Sequence, residues 1–371
     1  MGPKLKISYL FNVRFPSERA HAAQVAHMCQ AFAQCGHEVT LYVNARGAGT
    51  LTSVTDTFGF KPEFLLKTLS PSHLYGDTRL AFVWREILFV FSFWWQYKKG
   101  SSDVIYSRDE WVLYLLSFLL PKVRLVYESH EAKYNRAVRR LVMRQVQIVA
   151  ISEGIMEYYE EQGVSSSEIV VAHDGIDDSF FAPPVSKVEA RTALNLPLDK
   201  FIAMYIGGFD AWKGVETFFK AAALAPDVMF VAIGGKTAEV EQYKVQYPQV
   251  HFLGTKPYRD LHLNQQAADV LVIPNTAAND LSARYTSPLK LFAHMASGVP
   301  TVASDIPSLR AVVSGDEVQF FSADEPKKIS DAILEVQNDS LLWKERAQMV
   351  VKKSMQYTWG NRAQKIVQMM K

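Results

Sequence analysis

The sequence predicts an α/β protein built of two doubly wound units in tandem, each a mostly parallel sheet wrapped by helices. Three observations lead there. Short β-like runs alternate with amphipathic helical runs along most of the chain, the signature of repeated β-α-β units. The alternation breaks once, at "HDGIDDSFFAPPVSK" (173–187), where Asp, Gly and Pro mark a linker. A chain of 371 residues also exceeds what one ordinary hydrophobic core organises. The units are placed at 1–180 and 181–355, with a last helix, 356–371, returning to the first.

Each element follows in order. "LKISYLF" reads as a strand, then a helix runs from about Ala20 to Cys35 and stops at Gly36, since glycine tolerates the left-handed helix end. "HEVTLYV" is the second strand, and residues 45–77 read as irregular. An aromatic helix comes next, then the strand "DVIYS", a helix through "WVLYLLSFLL", the strand "VRLVYES", a basic helix and the strand "VQIVAIS". Past the linker the pattern restarts with "FIAMYIGG", a helix after Lys213, "VMFVAIGG", a helix, "VHFLGT", a helix and "DVLVIPN". "RYTSPLKLFAHMASGVPTVASD" (Arg284–Asp305) is a polar loop, a helix entered at Ser287-Pro288 and closed by Gly298, and a buried strand; "VQFFS" ends the series.

Composition narrows the function. The chain is 49% hydrophobic and 21% charged with a formal net charge of +2, which gives nucleic acid no support as the main partner. Cys29 and Cys35 lie in one helix and make no disulfide framework, so a reduced, cytoplasmic setting is the expectation. Lys4 and Lys6 lead into "ISYLF" without a small-residue cleavage site, so no signal peptide is read. The runs "ILFVFSFWW" and "WVLYLLSFLL" stop short of the ~20 apolar residues of a membrane span.

Among short motifs, no G-x-G-x-x-G follows the first strand, which argues against a dinucleotide oxidoreductase. "IGGKT" lacks the first glycine of a phosphate loop, because Phe230 stands there. No D-x-D triplet and no His/Cys cluster with metal spacing occurs, so the expected chemistry needs neither metal nor cofactor.

Two junctions in the second unit suit phosphate. In "YIGGFDAWKGVETFFKAA", Gly207-Gly208 end a buried strand and Lys213-Gly214 open a helix, allowing close backbone approach with a cation beside it. A glycine turn with a surface lysine fits the same residues. In the Arg284–Asp305 stretch, Thr286, Ser287 and Leu289 are expected to aim backbone N–H groups out of the helix start, where the macrodipole favours an anion. Pro288 suits the first turn, and Lys290 follows. An ordinary capped helix is the alternative, but two such junctions at corresponding strand ends favour a ligand.

"PSERAHAAQVAHMCQAFAQCGHEVTLY", "VYESHE", "AISEGI", "DGID", "YIGGFDAWKGVETF", "VHFLGT", "ADVLVIPN" and "SPLKLFAHMASGVPTVASD" together resemble, in that order, GT4-type retaining glycosyltransferases of the GT-B fold. The resemblance implies two Rossmann-like domains facing a cleft. The second would hold a UDP- or GDP-linked sugar donor, and the first a glycan or lipid-linked acceptor of cell-surface polysaccharide or glycoconjugate synthesis. It implies retention of configuration without a bound metal. His130 of "ESHE" matches the histidine that contacts the donor sugar, and Lys213 the basic residue that neutralises the diphosphate leaving group. Many members place an arginine where Gly208 stands, so Lys213 would carry more of the charge.

"FLGTKPYRDL" resembles the segment bordering the base, making Thr255, Lys256 and Tyr258 candidates, and "NVRFPSERAH" the acceptor loop, with Arg14, Ser17 and His21. The family's pair of glutamates is replaced by Tyr285 and Ala293. The second normally grips the donor ribose, and losing a charge-assisted hydrogen bond weakens binding by about one to two orders of magnitude. A GT-B protein that binds a nucleotide, a glycan or a partner enzyme without turnover is the alternative. Finally, "LAFVWREILFVFSFWWQYKKG" and "KYNRAVRRLVMRQ" admit two readings. Arg136, Arg139, Arg140 and Arg144 meet anionic lipid at the inner face of the membrane while aromatics enter the interface, or the aromatics pack on the sheet and the arginines are solvated.

Overall fold

The computed structural model describes residues 3–17, 20–45, 50–69, 78–181, 185–257 and 260–370. The chain divides into two compact units, Met1–Asp174 with Trp359–Lys371, and Gly175–Thr358. The first division falls at residue 174 rather than 180. Ile176 N–H donates to the Tyr357 carbonyl at 2.9 Å, and Ile176 and Phe180 are buried in an apolar cluster with Phe292 and Leu309 of the second unit.

The first unit is built on a seven-stranded sheet: β1 (Lys6–Phe11), β2 (Glu38–Asn44), β3 (Leu65–Leu69), β4 (Val104–Ser107), β5 (Arg124–Ser129), β6 (Gln147–Ala150) and β7 (Ile169–Val171). All pairings are parallel, in the order β3-β2-β1-β4-β5-β6-β7. Helices cover both faces of such a sheet, so central strands are apolar runs rather than alternating ones; Ile7, Tyr9, Leu10 and Phe11 of β1 are all buried. The order reverses between β1 and β4, whose loops part at their carboxyl ends to leave the usual ligand crevice of a doubly wound sheet.

The described residues between 45 and 77 hold more order than their sequence suggests. The helix Leu51–Phe58 is capped by Thr50, whose hydroxyl accepts from Ser53 N–H, and it ends at Gly59 in the left-handed region. It buries Val54 alone, and the edge strand β3 leaves Leu65 60% exposed. Neither element carries the apolar periodicity by which sequence reading finds helices and strands.

The second unit repeats the winding with β8 (Phe201–Ile206), β9 (Val228–Ile233), β10 (Val250–Gly254), β11 (Val270–Ile273), β12 (Thr301–Ser304) and β13 (Gln319–Phe321). Its parallel order, β10-β9-β8-β11-β12-β13, reverses between β8 and β11. Each unit is therefore Rossmann-like, as expected for a GT-B chain.

The last helix, Trp359–Met369, belongs to the first unit and lies against the helix Ala20–Gln34. Ala363, Ile366, Val367 and Met370 share a core with Val25, Ala26 and Cys29. Ile366 is fully buried, so Ile366→Ala should cost about 2–5 kcal/mol of stability, the range for deleting a large aliphatic side chain from a packed core. Chemical denaturation of the whole chain measures this, and a loss within error would detach the helix from that core.

Candidate functional site

In the second unit, β8 ends beside β11 at the switch point, and two lysines converge there. A Cβ added to Gly207 would lie 2.6 Å from Lys290 Cε and 2.7 Å from its Nζ; one added to Gly208 would lie 3.0 Å from Lys213 Nζ. A side chain at either position would displace the end of a lysine, and Gly207 further adopts φ 154°, which favours glycine. Lys290 Nζ donates to the Tyr205 hydroxyl at 2.8 Å and stands 4.2 Å over that ring. Tyr205 in turn donates to the Gly208 carbonyl at 2.6 Å. Lys213 pairs with Asp210 at 2.6 Å.

Two lysines thus share one nearby carboxylate. Burial pushes the Lys290 ammonium down to about 7, and the positive charge of Lys213 adds to the effect against the opposing pull of Asp210. The sequence named both lysines, at two separate junctions; Tyr205 and Asp210, which the structure places beside them, were missed.

The helix entry departs from expectation. Pro288 lies outside the helix Leu289–Ser297, as its cap, at φ −84° and ψ 64°, the geometry of an inverse γ-turn. Leu289 N–H closes that turn on the Ser287 carbonyl at 2.9 Å, so it is not aimed outward. Phe292 N–H makes the first intrahelical bond, to Pro288, and helix geometry leaves the N–H groups of Lys290 and Leu291 ahead of it. The Thr286 hydroxyl donates to the Leu281 carbonyl, closing a wide π-type turn over Leu281–Tyr285. Ser287 is buried.

Ala293 is 5% exposed within an apolar cluster containing Ile273 and Leu291. Its neighbour His294 is buried, and burial followed by the charge of Lys290 pushes its imidazole down to about 3; it stays neutral and does not replace a carboxylate. Thr255 donates to the Gly235 carbonyl at 2.8 Å and is exposed, as is Lys256. Tyr258 lies outside the described residues.

In the first unit, His130 follows β5 and its Nε2 lies 2.5 Å from Glu128 Oε1. Gln24 donates to the same oxygen at 2.6 Å, and the Tyr106 hydroxyl donates to Oε2. Arg362, from the last helix, reaches Oε2 at 3.4 Å and binds the His173 carbonyl at 2.8 Å. Burial alone would raise the Glu128 carboxyl, but Arg362 and the His130 bond outweigh it and hold it below the usual carboxylate range. Burial, then Arg108, push His130 below the ordinary imidazole value, with Glu128 working against them. A neutral His130 bonded to a carboxylate through Nε2 carries its proton there, leaving Nδ1 as the acceptor.

Glu128, His130 and Asp174 bring three potential metal-ligand atoms within 4.8 Å of one another. The Arg362 guanidinium lies 3.4 Å from Glu128 and 3.7 Å from Asp174, so the protein itself supplies the positive charge that these carboxylates need. Glu128 had a sequence signal, since it stands two positions before His130 in "ESHE" at the end of β5. Arg362, 234 residues from Glu128, had none.

The loop after β1 holds the other candidates. Arg14 is exposed and Ser17 and His21 are half-buried, with the His21 ring 5.7 Å from Phe11. Phe15 anchors the loop against Phe11 and Phe58. Asn12 donates to Glu86 at 2.8 Å and accepts from Asn44 at 2.8 Å. Burial, then Asp109, push the Glu86 carboxyl up to about 8.

Residues 22–180 match Glycosyltransferase Family 4, and residues 200–339 match Glycosyl transferases group 1. Each half of the chain thus carries a glycosyltransferase family domain. A D-inositol 3-phosphate glycosyltransferase of Corynebacterium diphtheriae is 24% identical over 288 residues, covering 70% of this chain and 65% of that protein. One from Mycobacterium tuberculosis (strain ATCC 25177 / H37Ra) is 27% identical over 185 residues, 46% and 36% of the two chains. The chain thus spans less than two thirds of these relatives' length. Among solved structures, sucrose-phosphate synthase from Thermosynechococcus elongatus superposes with a TM-score of 0.77 at 19% identity, covering 98% of both chains. Anabaena HepE in complex with UDP-glucose gives 0.73 at 18%, again over 98% of both. The shared fold is GT-B.

Two measurements probe these sites. If Lys290 titrates near 7 when empty and is held protonated by an anion, pyrophosphate affinity relative to Lys290→Met should be constant below pH ~7. It should fall by up to about tenfold per pH unit above that value. Calorimetry across pH reads this ratio, and a flat one would remove Lys290 from the anion site. For Glu86 the unfolded value of 4.5 rises to about 8 on folding, so the native state keeps a proton that the unfolded chain loses. That contribution is fully present below pH 4.5 and is lost as pH rises through 8. Glu86→Gln should flatten the decline in melting temperature over this window; an unchanged slope would rule out Glu86 as its source.

Proposed function

We propose that the protein is a retaining, metal-independent glycosyltransferase that moves a sugar from a UDP- or GDP-linked donor to a glycan or lipid-linked acceptor in the cytoplasm. The observation that carries the reading is the convergence of Lys213 and Lys290 on Gly207-Gly208. When the bond between the anomeric carbon and the diphosphate oxygen breaks, negative charge builds on the leaving group. Cations already fixed at that position stabilise the transition state without reorganisation.

Lys213 and Lys290 are assigned to the diphosphate, with the backbone of Gly207 and Gly208 and the N–H groups of Lys290 and Leu291 at the helix start around it. Thr255, Lys256 and Tyr258 are assigned to the base, His130 to the transferred sugar, and Arg14, Ser17 and His21 to the acceptor. The neutral imidazole and its Glu128 partner suit a hydrogen-bonding role toward sugar hydroxyls better than that of a charged acid. Support for the donor class comes from the neighbour described with UDP-glucose, and with UDP and glucose. Retention of configuration rests on the resemblance, and the compartment on the two free cysteines.

Ala293 favours a second reading, a GT-B protein that binds a nucleotide or glycan without turnover. A panel of nucleotide sugars, scored for nucleoside diphosphate release with and without acceptor extract, separates the two. At least one donor should turn over, and Lys213→Ala should lower kcat by roughly 100-fold or more, as for loss of one preorganised transition-state donor. No turnover of any donor, with nucleotide binding intact, selects the second reading.

A further inference from the structure

The helix Arg79–Tyr97 buries one face and leaves another bare. Phe89, Val90 and Phe93 are buried, with Phe93 edge-on to Tyr42 of β2 at 5.0 Å. On the opposite side Leu80, Trp84, Ile87, Phe91 and Trp95 follow the i, i+4, i+7, i+11, i+15 spacing of a single helix stripe. All are exposed, and Trp84, Phe91 and Trp95 each keep more than half of their surface in solvent. A continuous outward stripe of this kind marks an interaction surface, whereas scattered exposed apolar residues do not.

The rim of the stripe is basic. Lys98 Nζ lies 3.6 Å over the Trp94 ring and Lys99 Nζ 5.9 Å from that of Trp95. The adjoining helix, Glu110–Leu119, adds exposed Phe118, with the Arg140 guanidinium 3.5 Å over its ring. From Leu80 to Lys99 the single acidic residue is Glu86, buried on the other face; from Arg136 to Arg144 there is none.

We propose that this face docks on an anionic lipid surface, the stripe entering the interface while Lys98, Lys99 and the exposed Arg136 and Arg139 of the neighbouring helix stay among the headgroups. Charge selects this occupant. A second copy seated by a two-fold axis would press the basic rim against itself, whereas anionic lipid complements it. No described helix is long and apolar enough to cross a membrane, so the contact is one of lying on the surface. It stands on the first unit alone and does not depend on the donor site.

The test is flotation of the whole chain with vesicles of phosphatidylcholine, with and without phosphatidylglycerol. The protein should float with the phosphatidylglycerol vesicles and be released by salt. Replacing both aromatics (Phe91→Glu with Trp95→Glu) should lower partitioning at least tenfold. Each of Lys98→Glu and Lys99→Glu should lower it about fivefold or more on anionic vesicles, with circular dichroism and melting unchanged because these side chains are exposed. Failure of the wild type to float, or binding indifferent to phosphatidylglycerol or to the aromatic pair, would overturn the proposal. So would a dimer in light scattering that Phe91→Glu dissociates, since it would hand the face to a second copy.

Discussion

Everything in each unit follows from the constraint that parallel strands cannot be joined by a tight turn. Each connection must cross the sheet through a helix and return, so every strand delivers its carboxyl end to the same edge. In the second unit that edge gathers Gly207-Gly208 after β8 and Lys290 in the helix after β11, although Tyr205 and Lys290 are 85 residues apart. The strand order reverses between β8 and β11, so the two loops diverge there and leave a space above the glycines. The lysines fill it from the sides, where burial first and then the charge of Lys213 lower the Lys290 value.

The first unit solves a different electrostatic problem with the same architecture. Glu128 is fully buried, and a buried carboxylate persists only if hydrogen bonds and opposite charge replace its water. Gln24, Tyr106, His130 and Arg362 supply them from four separate elements. The last helix is thereby held by charge as well as by its apolar face. His130 is the one member of the group set at the strand end with a ring nitrogen to spare, so its orientation is inherited from groups deeper in the unit.

Much of the fold was legible in the sequence because central parallel strands are apolar on both sides. "FIAMYI" and "VMFVAI" announce themselves as buried strands, and Gly36 and Gly298 mark helix ends by a backbone conformation that other residues resist. Elements at the periphery were not legible. The helix Leu51–Phe58 and β3 bury too little to leave a pattern, and the linker residues Ile176 and Phe180 read as irregular until Tyr357 and Phe292 are seen beside them. At the helix entry, the proline that sequence logic assigns to the first turn stands outside it, and the Leu289 amide is spent on the γ-turn.

The sequence by itself determined the two doubly wound units, the glycine pair with its lysine and the histidine at the end of β5. These are local facts, fixed by side-chain type, spacing and backbone preference. Tertiary structure alone decided that Lys290 joins Lys213 over the glycines, that Arg362 holds Glu128 and through it His130, and which face of the aromatic helix meets solvent. Each depends on which distant segments the sheet winding brings together, and periodicity along a chain carries no record of that.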